Sequence, residues 1–278
     1  LDFDYSKISS SNIASNNFLN SLKINLNIID SKIVSTDLGQ LFLSFESDYK
    51  ETWTLKSNIN GYLNNLNINN WSLTNKKNKI EINSKFVNLF DPNYSLVFDV
   101  LNFDVDSKEI NKAFPNFFGT ILPSSLRSFG RFKIDGLINV SPDDVKTKFN
   151  FQTEQGLLIS DLNIYNFKNI NNASYRGEII GVDLDLSSFV NLNDIKKSDF
   201  NFKVEGQGFT KEYLNSSING KIENVELYDY KVENIDLNGD VKDQIFDGNL
   251  IVNDKNITFL FNGLVDFSDD LVDFDFDL

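Results

Sequence analysis

The stretch FDGNLIVNDKNITFLFNGLV, residues 246–265, decides the fold class. Phe246, Gly248, Leu250 and Val252 fall on alternate positions, and so do Ile257, Phe259, Phe261, Gly263 and Val265. Successive side chains on a strand point to opposite faces, so each run makes one apolar face and one wet face. A helix would space its apolar residues by three and four instead. NDKN, between the runs, reads as a turn, because Asn and Asp bond their own main chain and tolerate left-handed backbone.

The same period of two recurs along the chain. RFKIDGLINV (131–140) puts Phe132, Ile134 and Ile138 together, with Gly136 between them. KTKFNFQTEQG (146–156) sets Phe149 and Phe151 against Lys148 and Asn150. TWTLKSNING (52–61) sets Trp53, Leu55 and Ile59 against Thr54, Lys56 and Asn58. Turn signals such as NNW, NKKN, SPDD and KDQ separate these runs, and the pattern amounts to roughly eighteen short strands. At about 4.8 Å per strand they would form a sheet roughly 85 Å long. A flat open sheet of that size is unusual; it closes into a barrel, folds into a sandwich, or coils.

DSKEINKAFPNFFGTILPSSLRSFG (106–130) breaks the rhythm. Its apolar residues step by three and four, which is a helical stripe. Asp106 followed by Glu109 resembles a capping box, Pro115 and Pro123 divide the stripe, and Gly130 is a plausible stop. The reading is therefore a first sheet segment over 1–106, short helices over 107–130, and a second sheet segment over 131–278, continuous with the first. A further short helix is expected over 190–198. The stripe reads either as a helix packed on the sheet as core, or as a plug over an apolar groove made by Phe114, Phe117, Phe118, Ile121 and Leu122.

Composition narrows the chemistry. A net charge of −14 over 278 residues opposes nucleic-acid binding, which selects basic faces. With no His and no Cys there is no imidazole base, no thiol nucleophile and no Cys/His zinc site. Asp143-Asp144 and Asp269-Asp270 are adjacent, so on a strand they would point apart and make a poor catalytic dyad. Asp273, Asp275 and Asp277 share a face, about 6.6 Å apart, which reads as a hard-cation row or, more often, as the solvated side of a strand. EGQGF (205–209) lacks the strand–loop–helix frame of a phosphate site. The triplets Asn172-Ala-Ser174 and Asn256-Ile-Thr258 are expected by chance in an Asn-rich chain. The chain reads as a non-enzyme with no cofactor and no metal.

Residues 204–268, VEGQGFTKEYLNSSINGKIENVELYDYKVENIDLNGDVKDQIFDGNLIVNDKNITFLFNGLVDFS, resemble the TamB family of AsmA-like proteins, in particular its Bacteroidetes forms. Gly206 and Gly208 in EGQGF carry the likeness, as do Tyr228 and Tyr230 before ENIDLNG, and FDGNL followed by NDKNITFLFNGLVDFS. LPSSLRSFGRFKIDG (122–136), TEQGLL (153–158), ASYRGEI (173–179) and STDLGQL (35–41) are similar too. NDKNIT departs from the commoner Asp-Pro-Asn form. The resemblance implies a fold: an elongated, curled β-sheet, a taco-shaped, open solenoid-like trough with an apolar inside. It also implies a periplasmic location, an N-terminal inner-membrane anchor and an outer-membrane barrel partner of the TamA/BamA type, both through regions outside this stretch, and a role in outer-membrane assembly. LDFDY at one end and LVDFDFDL at the other would then be mid-ribbon strands.

The implied activity is transfer of phospholipid between membranes, with acyl chains lying on a floor of Phe246, Leu250, Val252, Ile257, Phe259, Phe261, Val272, Phe274 and Phe276. Two other readings share the alternation: an outer-membrane β-barrel, and a closed β-solenoid or sandwich serving as an adhesin or binding module.

Overall fold

The computed structural model describes residues 2–4, 20–37, 49–114, 124–169, 171–187, 195–210, 213–228, 230–266 and 273–277. The chain forms two compact units, Leu1–Pro142 and Asp143–Leu278. Strand 131–140 pairs along most of its length with strand 95–106 in the first unit.

The first unit holds β1 (Asp2–Asp4), β2 (Lys23–Val34), β3 (Thr52–Tyr62), β4 (Asn65–Thr74), β5 (Lys79–Val87), β6 (Ser95–Asp106) and β7 (Arg131–Val140). The second holds β8 (Asp144–Thr153), β9 (Gly156–Tyr165), β10 (Ser174–Asp185), β11 (Ile195–Gln207), β12 (Asn215–Leu227), β13 (Tyr230–Lys242), β14 (Ile245–Asn253), β15 (Thr258–Asp266) and β16 (Asp273–Asp277). Within each unit every strand pairs antiparallel with its sequence neighbours, and the sheet is open. The expected mostly β architecture with a short helical interruption is what the chain adopts.

Turns form where Asn and Asp predict them. Asn75 Oδ1 accepts the N–H groups of Lys77 and Asn78 at 2.9 and 2.7 Å, closing the NKKN turn. Asp243 and Gln244 both take positive φ, 51° and 66°, which is the mirror-image turn that suits a two-residue hairpin between β13 and β14.

One feature of the strands escapes simple alternation. β2, β4 and β6 each carry an extra residue, at 29–30, 69–70 and 101–102, and the register places all three at one level of the first unit's sheet. A bulge bends its strand and raises the local twist. It also shifts the phase: the apolar face runs Leu96, Phe98, Val100 and then Phe103, Val105 along β6. β10 does the same between Gly181 and Leu184. At two of these bulges the freed N–H is satisfied by the strand opposite. Asn70 (φ 52°) donates to Asn83 Oδ1 at 2.9 Å, and Asp183 (φ 48°) donates to Asp199 Oδ1 at 2.6 Å.

The interruption after β6 is α1 (Ser107–Ala113), followed by a 3-10 helix over Ser124–Phe129. Asp106 caps α1, accepting the Lys108 and Glu109 N–H groups at 3.0 Å each. The expected box is only half made. The Asp106 N–H goes to Asn78 Oδ1 at 2.7 Å, and Glu109 instead pairs with Lys77 at 3.2 Å and Lys112 at 3.4 Å. Gly130 stops the 3-10 helix at φ 69°, and its carbonyl accepts the Ser107 N–H at 2.8 Å. The helix expected over 190–198 is corrected at its end: Ile195–Ser198 open β11, paired with Leu227 and Val225, while 190–194 lie outside the described residues. Among the described residues no helix is long and apolar enough to cross a membrane.

Candidate functional site

The candidate site is a face, not a cleft. In the first unit the register lines up Leu55, Leu73, Ile80, Phe103 and Ile134 in one row across β3 to β7. A second row runs Ile59, Ile68, Ser84, Phe98 and Ile138. In the second unit Phe151, Leu158, Gly181, Phe200, Ile222, Ile235, Val252 and Phe259 form a row across eight strands, β8 to β15. Seven gaps at about 4.8 Å make that row roughly 34 Å long. The neighbouring row ends in Leu237, Leu250 and Phe261. Apolar side chains opposed across strands are the unit from which a sheet gains stability, so the fold itself maintains this face.

Burial along the face is uneven. Around α1 it is dry: Trp53, Val105 and Phe132 on the sheet and Ile110, Ala113 and Phe114 on the helix side are all at 6% exposure or less. The Trp53 and Phe114 rings lie 5.2 Å apart, and Phe103 stacks on Phe132 at 6.0 Å. Leu55, Ile59, Ile68, Phe86, Leu96 and Phe98, away from the helix, are only half-buried. In the second unit Val225, Val232, Ile235 and Val252 form a tight cluster, with Leu250 and Phe259 packed against its margin.

Glycines set the height of this floor. A Cβ on Gly181 would lie 2.6 Å from Cζ and 2.8 Å from Cδ1 of Phe200. A Cβ on Gly239 would meet Phe246 Cζ at 2.6 Å. Both rings therefore lie down over a neighbouring strand's glycine, a known way for an aromatic to cover bare backbone in a sheet. Phe200 also stacks on Phe202 at 4.9 Å.

Of the residues singled out from sequence, Phe246, Leu250, Val252, Phe259 and Phe261 share this face; Val252 and Phe261 are buried and the other three half-buried. Ile257 sits in the turn before β15 and is 43% exposed. Phe274 and Phe276 belong to β16, opposite Val265 and Gly263. Val272 lies outside the described residues, as do Phe117, Phe118, Ile121 and Leu122 of the stripe. Phe114 is buried against Trp53, as a core residue would be. Alternation alone did not reach Ile222 and Ile235 in the middle of the second unit's row, nor Leu73 and Phe103 beyond the bulges.

Two carboxylates, Asp254 and Asp199, are engaged in structure. Asp254 accepts the Asn256 N–H at 2.8 Å, the Tyr230 hydroxyl at 2.7 Å and the Glu233 N–H at 3.2 Å, and these bonds hold its carboxyl below the usual range. They tie the NDKN turn to the start of β13. Asp199 is lowered likewise, by the Asp183 N–H first and then by Asn224. No group of acids able to hold a metal ion occurs among the described residues. On the side away from the apolar face, cross-strand pairs such as Lys148–Asp161 (3.4 Å) and Arg176–Glu205 (3.5 Å) are exposed and contribute little to stability. No protein-family model, curated protein or solved structure matches the chain.

Proposed function

We propose that this chain is a periplasmic segment of a bridge-like lipid carrier of the TamB kind, its strands curled into a trough whose apolar face conducts the acyl chains of phospholipids between membranes and so serves outer-membrane assembly. The observation carrying this reading is the unbroken apolar row across β8 to β15, with Phe246, Leu250 and Phe259 only half-buried. A tail leaving a bilayer exposes each CH₂ at about 0.8 kcal/mol, so two long tails cost about 20 kcal/mol or more. A continuous apolar floor removes most of that barrier and needs no polar recognition group, which fits a face made of Phe, Ile, Leu, Val and Gly. The inner-membrane anchor and the barrel partner of the TamA/BamA type would belong to regions outside this chain.

The test is native mass spectrometry of the protein purified without detergent, together with binding of a fluorescent phospholipid. Phospholipid should co-purify. Phe259→Asp should lose it while far-UV circular dichroism retains the β signal, because a half-buried carboxylate keeps contact with water. Absence of bound lipid together with no uptake of the fluorescent probe overturns the proposal. So does a Phe259→Asp protein that simply unfolds, since that is the behaviour of a packed core.

A further inference from the structure

The wet side of the second unit is hollowed where β9 to β12 pair. An open recess of about 590 Å³ lies there between two rows of side chains that the register sets in parallel. Asn163, Arg176, Glu205 and Ser217 make one wall; Asp161, Glu178, Lys203 and Asn219 make the other. The floor is the main chain of Gly177 and Val204, whose own side-chain positions belong to the apolar face. Four strands at about 4.8 Å spacing make the recess roughly 14 Å long. A second recess of about 500 Å³ adjoins it across Arg176, Glu205 and Ser217, with Ser174, Gln207, Asn215 and the 39% exposed Tyr165 along its lining. Both fall in the size range of ligand sites, about 300–1,000 Å³.

The charges of the first recess cancel. Asp161 has Lys148 at 3.4 Å, Glu205 has Arg176 at 3.5 Å, and Glu178 stands opposite Lys203 in the register. An ion of either sign therefore meets repulsion and attraction alike. Neither wall offers an apolar side chain to an apolar ligand. Main-chain groups of these strands are already paired with one another, so an extended peptide gains no ladder here. What remains is hydrogen bonding by side chains. Those of Asn163, Ser217, Asn219, Glu178 and Lys203 have no bonding partner among the described residues. Amides and hydroxyls both donate and accept, as the hydroxyls of a sugar do, and a site built to bond hydroxyls discriminates strongly against ligands that lack them. The Tyr165 ring adds a flat apolar surface with a polar tip, against which the C–H face of a sugar ring can lie.

We infer that the two adjoining recesses on the wet side of β9 to β13 bind an uncharged oligosaccharide. Asn163, Ser217 and Asn219 bond its hydroxyls, the balanced Glu178 and Lys203 supply an acceptor and a donor, and Tyr165 carries a ring at the border. The site lies on the other side of the strands from the apolar row, so its occupancy does not depend on what that row carries.

The probes are two uncharged tetrasaccharides, chitotetraose and cellotetraose, set against the cationic chitosan tetramer and the anionic tetragalacturonate, with binding to the whole chain titrated by saturation-transfer NMR. At least one uncharged sugar should bind, more tightly than either charged one, and its affinity should change less than twofold between low and high salt. Asn163→Ala/Asn219→Ala should lose about tenfold, the loss of roughly two hydrogen bonds, while far-UV circular dichroism keeps the β signal. Asn249→Ala/Asn262→Ala removes two amides from β14 and β15, outside both recesses, and should stay within twofold. Glu178→Gln keeps the shape of the wall but leaves Lys203 without its opposed acid, so tetragalacturonate should gain at least fivefold; this readout holds even if the double variant fails to fold. Binding of neither uncharged sugar overturns the inference. So does tighter binding of a charged tetramer, equal loss in the Asn249/Asn262 control, or a Glu178→Gln protein with unchanged preference.

Discussion

Replacing Gly181 with Ala tests whether the Phe rings lie down over glycines as described. The added methyl would sit inside the contact distance of the Phe200 ring, 2.6 Å from Cζ and 2.8 Å from Cδ1, and its three nearest neighbours are all atoms of that ring. Phe200 is 8% exposed and stacked on Phe202, so it cannot swing aside without losing packing. Overpacking of this kind costs about 1–3 kcal/mol. Phe200→Leu alone loses part of the ring's buried area, about 1 kcal/mol. The two substitutions remove each other's conflict, so the double variant should be more stable than the sum of the singles by about 1 kcal/mol or more, in the range seen for residues in contact. Guanidinium unfolding of the four proteins, followed by far-UV circular dichroism, measures that coupling. Gly177→Ala is the contrast: its methyl would meet the backbone of Asp161 and Leu162, where no side chain can be trimmed to relieve it. Additivity of Gly181→Ala and Phe200→Leu within about 0.5 kcal/mol would refute the reasoning, as would a Gly181→Ala protein as stable as the parent.

Two further outcomes follow from the polar contacts and the helix. The Asp199 carboxylate accepts from Asp183 and Asn224, and its folded pKa lies below the ordinary carboxylate value. Its contribution is therefore complete above about pH 4 and is lost as pH falls through the lowered folded value; thermal midpoints from pH 7 to pH 3 should fall less steeply for Asp199→Asn than for the parent. Ile110→Ala should cost about 2–5 kcal/mol as a fully buried truncation, whereas Lys77→Met, which breaks the exposed pair with Glu109, should leave the urea midpoint close to the parent's; urea unfolding of both ranks burial against ion pairing in holding α1.

The face was legible wherever a strand keeps its phase. Phe246 to Val252 and Phe259 to Val265 alternate without a break, and so do Trp53 to Ile59 and Phe132 to Ile138; each run lies on the face its spacing predicts. β6 was not legible in full. The step from Val100 to Phe103 looks like noise in a period of two, and only the pairing to Gly136 and Ile134 shows it to be a bulge. The α1 cap could be read because Asp106 and its partners are three residues apart at most. Asn78 could not, since it reaches the Asp106 N–H from 28 positions away, through a turn whose geometry is set by pairing. Ile195–Ser198 carries a weak helical pattern, but its bonds to β12 outweigh that propensity. That Ile251 and Leu260 stand opposed across β14 and β15 is a matter of register, which the spacing within either strand does not carry.

The extra residues in β2, β4 and β6 also constrain how this chain can change length. Removing one residue from a regular stretch of strand exchanges the faces of everything beyond it. At the crease the effect is the opposite: deleting Asn70 would remove the bulge and leave Leu66, Ile68, Trp71 and Leu73 alternating on one face, so the strand would keep its facing and lose its bend. Single-residue losses along these strands should therefore be confined to the crease, where they flatten the sheet, while other indels collect in the hairpin turns, where they shift no register.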